Sequence, residues 1–557
     1  MAQAVGGGKT ETVISDPGPA DDGLPLGWRW LLILGVAALA WKAILLARAS
    51  FPFNSDEAVV GLMARHILQG ERPIFFYGQA YLGSLDAFLV ALMMALVGPT
   101  VSAIRWTQVL IYSGTVVTTA LLAACAFRSR LAGLSAGLLM AVPSVNMTLY
   151  TTVSIGGYGE ALLIGNGLLL IVAHAQRKSR LATWLIPLWG LMAGVGFWSF
   201  GLTLVYLLPT GLILALLTMR EQRGRLIWPL LWAMLAFLAG ASPWLVWAIQ
   251  NGPGALLSEL FGSAIAGASS GSTAAVWGGH VVNLALFGPT VIMGLRPPWG
   301  INLLAAPLAP IPIVFWLATL GFVVWQLRAR SAISWLTWAL VGVAGLDLIG
   351  FILTPFGADP SGRYFLPMVV PMCVFGGGLL AFIAGSGRGR LAYAALAAVL
   401  LYNAVATADA AAKSQTGLTT QFDPIARVDQ TALPDLIRFL KEQDLDRGYT
   451  NYWVAYPLAF KSDEELIFVP ALPYHLDFRY TSRDSRYRPY DELVRTSSNV
   501  GYITTHHPPL NLAIQAGLDR LAVKYERIEI GPYTVFYGLS RAVGPADLDL
   551  YLEGGDS

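Results

Sequence analysis

The chain has 557 residues, 55% of them hydrophobic and 13% charged, with a mean hydropathy of +0.58. Soluble chains carry about 25% charged residues, so this composition excludes a soluble multidomain enzyme and a disordered protein and predicts a polytopic membrane protein. The formal charge of +2 and the two cysteines, Cys125 and Cys373, both in apolar runs, argue against nucleic acid as a partner and against a disulfide framework or a cysteine-ligated metal.

Residues 1–27 are rich in Gly, Pro, Asp and Thr without periodicity and read as a disordered cytoplasmic tail. The run from Trp28 to Ala47 follows. Ala47-Arg48-Ala49 imitates a cleavage site, but the run is too long for a signal-peptide core, so it reads as an uncleaved membrane helix. Further apolar runs able to span ~30 Å of hydrocarbon lie near Ser102–Phe127, Leu131–Thr151, Gly159–Ala175, Leu181–Phe197, Phe200–Met219, Leu226–Ile249, Ile301–Leu327, Ile333–Leu353, Tyr364–Ala384 and Leu391–Ala410. Tyr81–Val97 is ambiguous. The basic clusters Arg128/Arg130, Arg177/Lys178/Arg180, Arg220/Arg223/Arg225, Arg328/Arg330 and Arg388/Arg390 fall at alternate ends of the spans and belong in the cytoplasm by the positive-inside rule. With the tail also inside, only one net crossing fits between residues 50 and 127. Tyr81–Val97 is therefore expected to lie along or dip into the outer face. The expected fold is an α-helical polytopic membrane protein of about eleven crossings over residues 28–411, with long exterior loops at Ser50–Val101 and Gln250–Gly300.

From residue 412 to 557 the composition turns charged and aromatic, which predicts a soluble α/β domain on the exterior face. A helix opened by Pro434 is expected over Leu433–Gln443. Short strands are expected at Tyr449–Trp453, Leu466–Val469 and Gly501–Thr504, with a hairpin of Glu526–Ile530 and Tyr533–Tyr537 around Gly531-Pro532.

The chemistry begins at Asn54-Ser55-Asp56-Glu57. Val60, Met63, Ala64 and Ile67 recur at helical spacing after it, which predicts a short amphipathic helix on the membrane surface with Asp56 near its start. Asp56 or Ser55 could be only an N-cap. A carboxylate at the membrane edge also suits a general base acting on a membrane-delivered substrate. Glu160 follows Gly156-Gly157-Tyr158-Gly159 at the exterior end of a span; it is either functional or a surface acid at a helix N-terminus. Asp86 and Asp347 lie inside apolar runs and face either a cavity or a neighbouring helix. Arg363, at the exterior membrane edge, is the candidate for holding a phosphate, since a guanidinium fork matches phosphate oxygens. Arg105 and Lys42 are weaker candidates; Lys42 is expected to snorkel outward, and Arg72 could equally be solvated. Tyr77, Tyr81, Tyr158 and Trp198 could stack on a sugar or form an interfacial aromatic belt. His66, His280 and His506-His507 show no metal-ligand spacing, which leaves a divalent metal possible but unassigned.

The acidic pair Asp56-Glu57 and the following Ala58–Gly70 resemble the first exterior loop of GT-C membrane glycosyltransferases, in the bacterial branch related to protein mannosyltransferases and aminoarabinose transferases. Phe76-Tyr77-Gly78-Gln79-Ala80-Tyr81-Leu82-Gly83 is similar to the segment before that family's surface helix. Ile104-Arg105-Trp106 resembles the Arg at its second crossing, Gly190–Trp198 its mid-chain glycine-rich turn, and Arg363-Tyr364-Phe365-Leu366-Pro367 its Arg-Tyr-x-x-Pro segment.

The resemblance implies an inverting glycosyltransferase that moves a sugar from a polyprenyl-phosphate carrier to an acceptor outside the cytoplasm. Asp56 would be the catalytic base and Glu57 the runner-up or a structural partner. Glu160 would be a second acid facing the first across the cavity, with Arg363, Arg105, Tyr77, Gln79, Tyr81, Asp86 and Trp198 binding substrate. The chain lacks the extra lumenal modules of the protein-mannosylating branch and the residues flanking its acidic pair, so mannose and a protein acceptor do not follow. The implied partners are the lipid-linked donor, membrane lipid, and a glycan, lipid or protein acceptor, at the inner membrane with the site outside. A transporter or flippase of a lipid-linked sugar, and a polysaccharide polymerase or ligase, are the competing classes. Transporters often show internal repeats and midplane sites, neither of which is visible here, and a polymerase or ligase is expected to lack the early acidic pair.

Overall fold

The computed structural model describes residues 26–177, 182–221, 227–252, 254–255, 273–329, 333–428 and 430–550. The expected tail falls almost wholly outside them, as do Lys178, Arg180, Arg223, Arg225 and Arg330.

The first part of the chain is helical: α1 (Trp28–Ala47), α2 (Ser55–Gln69), the strands β1 (Phe75–Phe76) and β2 (Gln79–Gly83), α3 (Leu85–Val97), α4 (Val101–Phe127), α5 (Arg130–Ala141), α6 (Val145–Tyr150) and α7 (Tyr158–Ala175). It continues with α8 (Leu185–Ser199), α9 (Leu204–Glu221), α10 (Ile227–Gly240), α11 (Ser242–Asn251), α12 (Thr273–Leu286), α13 (Gly288–Ile292), α14 (Pro310–Ala329), α15 (Trp335–Leu353), α16 (Leu366–Ile383) and α17 (Gly389–Lys413). Among the described residues, eight helical stretches are long and apolar enough to cross a membrane, or nine if α10 and α11, bent by 70°, form one span. The protein is a multi-pass membrane protein.

Two regions depart from their expected form. The ambiguous run at Tyr81–Val97 splits into the end of β2 and the 13-residue α3. At 1.5 Å per residue α3 spans ~20 Å, short of the ~30 Å hydrocarbon core. The loop expected at Gln250–Gly300 contains α12 and α13. Polar side chains hold α12 against the end of α15: His280 Nδ1 meets the Ile352 carbonyl at 2.8 Å, and Asn283 Nδ2 donates to the Gly357 carbonyl at 2.9 Å. Composition rich in Gly, Ser and Ala hid that helix.

The basic helix ends converge. The Arg130 guanidinium lies over the Trp30 ring and that of Arg220 over Trp335. Gln176 Oε1 accepts from the Leu336 amide, and the rings of Phe127, Phe322 and Phe382 gather where α4, α14 and α16 end. The opposite end of the bundle carries α2, β1 and β2, and the C-terminal unit packs there against α2.

That unit comprises α18 (Leu433–Glu442), β3 (Arg447–Thr450), α19 (Tyr452–Lys461), β4 (Ile467–Pro470), α20 (Arg488–Arg495), β5 (Gly501–Thr505), α21 (Pro508–Arg520), β6 (Glu526–Ile530) and β7 (Tyr533–Tyr537). Its sheet runs β4-β3-β5-β7-β6, parallel across β4, β3 and β5 and antiparallel across β5, β7 and β6. Leu436 and Leu440 of α18 and Leu458 of α19 pack with Phe468, Ile503 and Val535 on one side; Leu510, Ile514 and Leu518 of α21 pack with Tyr502 and Phe536 on the other. The strand expected to run to Trp453 stops at Thr450, because the Asn451 side chain accepts from the Trp453 amide and starts α19.

Gly190–Trp198, which resembles a family's glycine-rich turn, is the body of α8, within the run expected as a span at Leu181–Phe197. Its glycines serve helix packing: a Cβ at Gly190 would fall on the Ala233 carbonyl oxygen of α10, one at Gly194 on that of Phe237, and one at Gly240 on that of Leu191. Gly194→Val therefore forces α8 and α10 apart, at about 1–3 kcal/mol or more, and is expected to lower the thermal midpoint in detergent. Gly345→Val in α15, where nothing lies within 4 Å of the added Cβ, is expected to change it little.

Candidate active site

The chain leaves α1 at Ala47 and re-enters a helix at Ser55. The cap of α2 is Asn54: its Oδ1 accepts from the Glu57 amide at 3.0 Å, and its Nδ2 donates to Thr420 Oγ1 at 3.1 Å. Capping therefore does not explain Asp56. Asp56 and Glu57 are neighbours on the first turn, so their side chains leave the helix ~100° apart, and they meet different surroundings. Asp56 is half-buried. Its Oδ1 accepts from the Tyr452 hydroxyl at 2.6 Å, while its Oδ2 takes no hydrogen bond from the described residues.

Glu57 is 0% exposed. Arg105 grips both of its oxygens, Nε to Oε1 and Nη2 to Oε2, each at 2.9 Å, and Nη2 also donates to the Pro52 carbonyl. Of the two readings of Glu57, this bidentate pair favours the structural partner, and it occupies the Arg105 guanidinium expected as a weaker phosphate candidate.

Glu160 and Asp86 form a second acidic group inside the bundle end, 3% and 2% exposed. Gly156 and Gly157 adopt left-handed backbone (φ 79° and 64°) and turn the chain into α7, which places Glu160 in its first turn. Gln108 Nε2 donates to Asp86 Oδ1 at 2.7 Å and lies 3.4 Å from Glu160 Oε1; Ser154 Oγ donates to Asp86 Oδ2 at 2.5 Å. The two carboxyls thus share one amide donor. Glu160 was expected to face Asp56 across a cavity. Its contacts are instead with Gln108 and Asp86, and its Oε2 is buried without a partner.

Arg363 stands where the chain enters α16. Its Nε is 2.6 Å from Asp359 Oδ2, and its guanidinium lies over the Tyr364 ring. The Asn146 amide, donating to the Gly362 carbonyl, fixes the turn. The Tyr158 ring lies 6.4 Å from Tyr150 and 6.3 Å from Tyr364. The charges of Arg363 and Arg486 both act on Tyr81, as does that of Asp56, and burial pushes its phenol up. Gln79 serves Arg486: in the orientation that satisfies both groups, its amide oxygen accepts from Nη1 at 2.7 Å and Nη2 at 3.0 Å.

Other expected ligands lie elsewhere. The Tyr77 hydroxyl donates to Glu71 Oε2 at 2.6 Å and contacts His66 Nδ1, and its ring stacks on Tyr487. Tyr77 therefore belongs to the seam between α2 and the C-terminal unit. Trp198 Nε1 donates to the Ile74 carbonyl at 2.9 Å and pins the segment before β1. Lys42 does not snorkel: it is buried, its Nζ bound by the Thr148 carbonyl and the hydroxyls of Thr151 and Thr152 at 2.7–2.8 Å. Asp347 is likewise buried in α15.

Sequence reasoning missed Tyr452, Arg486, Asp484 and Asp359. Asp359 had a signal, its position four residues before Arg363. The other three had none, since nothing local joins residues 452–486 to residue 56. The Arg486 guanidinium lies 5.2 Å from the Tyr452 ring centroid, and burial pushes the Asp484 carboxyl up to about 7. Among the described residues no three His, Cys, Asp or Glu side chains converge on a metal site.

A comparison with curated protein sequences finds no match. Residues 84–247 match the family model described as dolichyl-phosphate-mannose-protein mannosyltransferase. Among solved structures, ArnT from Cupriavidus metallidurans superimposes with a TM-score of 0.58 at 12% identity, covering 91% of this chain and 97% of that one in the apo state. Bound to undecaprenyl phosphate it covers 93% and 99% at the same score and identity. The chain has the GT-C fold of membrane glycosyltransferases. The oligosaccharyltransferase of Archaeoglobus fulgidus is a more distant GT-C likeness, with a TM-score of 0.52 at 11% identity over 94% of this chain and 75% of that one. The family-model match takes in Asp86, Arg105, Glu160 and Trp198 but begins after Asp56 and ends before Arg363.

In this GT-C chain the buried Glu57–Arg105 pair is a stability test. Arg105→Ala leaves Glu57 charged and unpaired, which costs about 3–5 kcal/mol. Replacing both residues by Leu removes the unpaired charge and is expected to recover most of that loss, read as the thermal midpoint in detergent.

Proposed function

We propose that the protein is an inverting glycosyltransferase that moves a sugar from a polyprenyl-phosphate carrier to an acceptor hydroxyl on the extracytoplasmic face of the membrane. The observation that carries this reading is Asp56: a carboxylate spared from capping, with one oxygen held by Tyr452 and the other without a hydrogen bond from the described residues. Asp56 Oδ2 takes the proton of the acceptor hydroxyl while that oxygen attacks the anomeric carbon. The bond from that carbon to the carrier phosphate breaks on the opposite side, and the phosphate leaves with the electron pair. A single displacement inverts the anomeric centre. Arg363, at the start of α16, is the cation for the leaving phosphate. The undecaprenyl phosphate bound by the Cupriavidus metallidurans protein of the same fold supports a polyprenyl-phosphate donor. The convergence of basic helix ends away from the C-terminal unit supports a cytoplasmic position for those ends and an exterior one for the site.

The test is transfer by the purified protein supplied with a panel of radiolabelled polyprenyl-phosphate sugars. Asp56→Asn keeps the shape and loses the base, so turnover should fall ~10²–10⁴-fold while carrier binding holds. Arg363→Ala should instead weaken carrier binding, with Arg363→Lys recovering part of it. A folded Asp56→Asn protein that transfers sugar at the wild-type rate ends the assignment.

Sidedness is tested by single cysteines in a background without Cys125 and Cys373. One placed between Gly70 and Gly78, or in the C-terminal unit, should react with an impermeant thiol reagent applied from outside. One at Lys178 should not.

A further inference from the structure

The C-terminal unit reaches into the candidate site through one side chain more directly than any other. Tyr452 is the first residue of α19 and is buried. Its mounting is rigid. Asn451 caps α19 and donates through Nδ2 to Thr505 Oγ1 at 2.9 Å, at the end of β5. Thr450 Oγ1 donates to the Ile503 carbonyl at 2.8 Å. Ser55, next to Asp56, donates its hydroxyl to the Tyr452 carbonyl. The Arg486 guanidinium, held by Gln79, lies over the Tyr452 ring. From this frame the Tyr452 hydroxyl donates to Asp56 Oδ1 at 2.6 Å.

We propose that Tyr452 is a positioning residue for Asp56: its hydroxyl ties down Oδ1 and presents Oδ2 to the acceptor hydroxyl, so the C-terminal unit completes the active site. The proposal rests on the reading of Asp56 as the base. A tied carboxylate loses its free rotation before the acceptor arrives, and geometry of this kind is a large part of a catalytic group's effect.

The groups whose charge meets that of Asp56 are Tyr81 of β2, Tyr452 of α19, and Tyr474, Asp484 and Arg486 from the segment between β4 and α20. The Glu57–Arg105 pair adjoins it on the bundle side. Asp484 titrates near neutrality, so an Asp484→Asn background separates its contribution.

The experiment is the kcat and KM of sugar transfer by full-length Tyr452→Phe, with undecaprenyl phosphate binding measured on the same preparations. Phe keeps the ring under Arg486 and removes only the hydroxyl. Loss of a hydrogen bond to a charged group should lower transfer at neutral pH about 10–100-fold. The loss should fall on kcat and leave KM for the donor near its wild-type value, in wild-type and Asp484→Asn backgrounds alike. Undecaprenyl phosphate binding should be unchanged. Adding Tyr452→Phe to Asp56→Asn should cause no further loss, because the tether has nothing left to position. The proposal is overturned by a wild-type rate, by a loss carried by KM and carrier binding, or by a full additional loss in the double variant. If Asp56→Asn itself transfers sugar normally, the reading of Asp56 as base fails. If Asp56→Asn is inactive and Tyr452→Phe behaves as wild type, only the tether fails.

Discussion

The first turn of α2 divides two adjacent carboxylates between two environments, and much of the architecture follows from that division. Glu57 points into the bundle, where an ionised side chain survives only with a cation and well-formed hydrogen bonds. Arg105 supplies both and also grips the Pro52 carbonyl, so the pair locks the entry segment onto α4. With Glu57 fixed, helical geometry turns Asp56 away from the bundle and toward the C-terminal unit. The helix expected to lie on the membrane surface is thus enclosed between bundle and C-terminal unit: at Gly61, an added Cβ would meet Ile104 of α4 and Phe460 of α19.

The same logic governs the other polar groups of the bundle. Lys42 could reach water only by leaving three oxygen ligands that fit it, and those ligands come from the end of α6. α6 lies just ahead of the glycine turn that leads into Glu160. Asn146, on α6, donates to the Gly362 carbonyl beside Arg363. The buried lysine on α1 therefore braces the short helix that holds the arginine turn. A charge that is costly in hydrocarbon is retained where it ties together elements that hydrophobic packing alone would leave free to slide.

Much of this fold was legible in the sequence, and the illegible parts share a cause. Helical periodicity after Asn54 marks α2, and the hairpin of Glu526–Ile530 and Tyr533–Tyr537 falls where Gly531-Pro532 puts it. Such signals are local. The misreadings concern partners far along the chain. Gly190–Trp198 resembles a family's glycine-rich turn until α10 occupies the groove its glycines create. Lys42 looks free to snorkel until residues more than 100 positions away surround it. Tyr452 reaches Asp56 from 396 residues away, and no composition or spacing encodes that meeting. Asp56 itself was legible because an acid at the start of an amphipathic helix at the membrane edge is a local pattern. What orients it was not.

The resting electrostatics of the site fit a cationic surface kept ready for an anion. Neither arginine beside Tyr81 is bare. Arg363 is paired with Asp359 and lies over Tyr364, and Arg486 rests on Gln79 and the Tyr452 ring. An unpaired guanidinium in a partly desolvated cleft would be costly. A neutral amide and aromatic faces lower that cost without cancelling the charge, whereas Asp359 cancels it in part. On the proposed reading, an arriving phosphate would compete with Asp359 for Arg363 and with the partly ionised Asp484 for Arg486. Asp56 keeps one carboxylate oxygen that no described residue hydrogen-bonds. On the proposed reading, phosphate and proton are then taken by different side chains, as an in-line displacement requires.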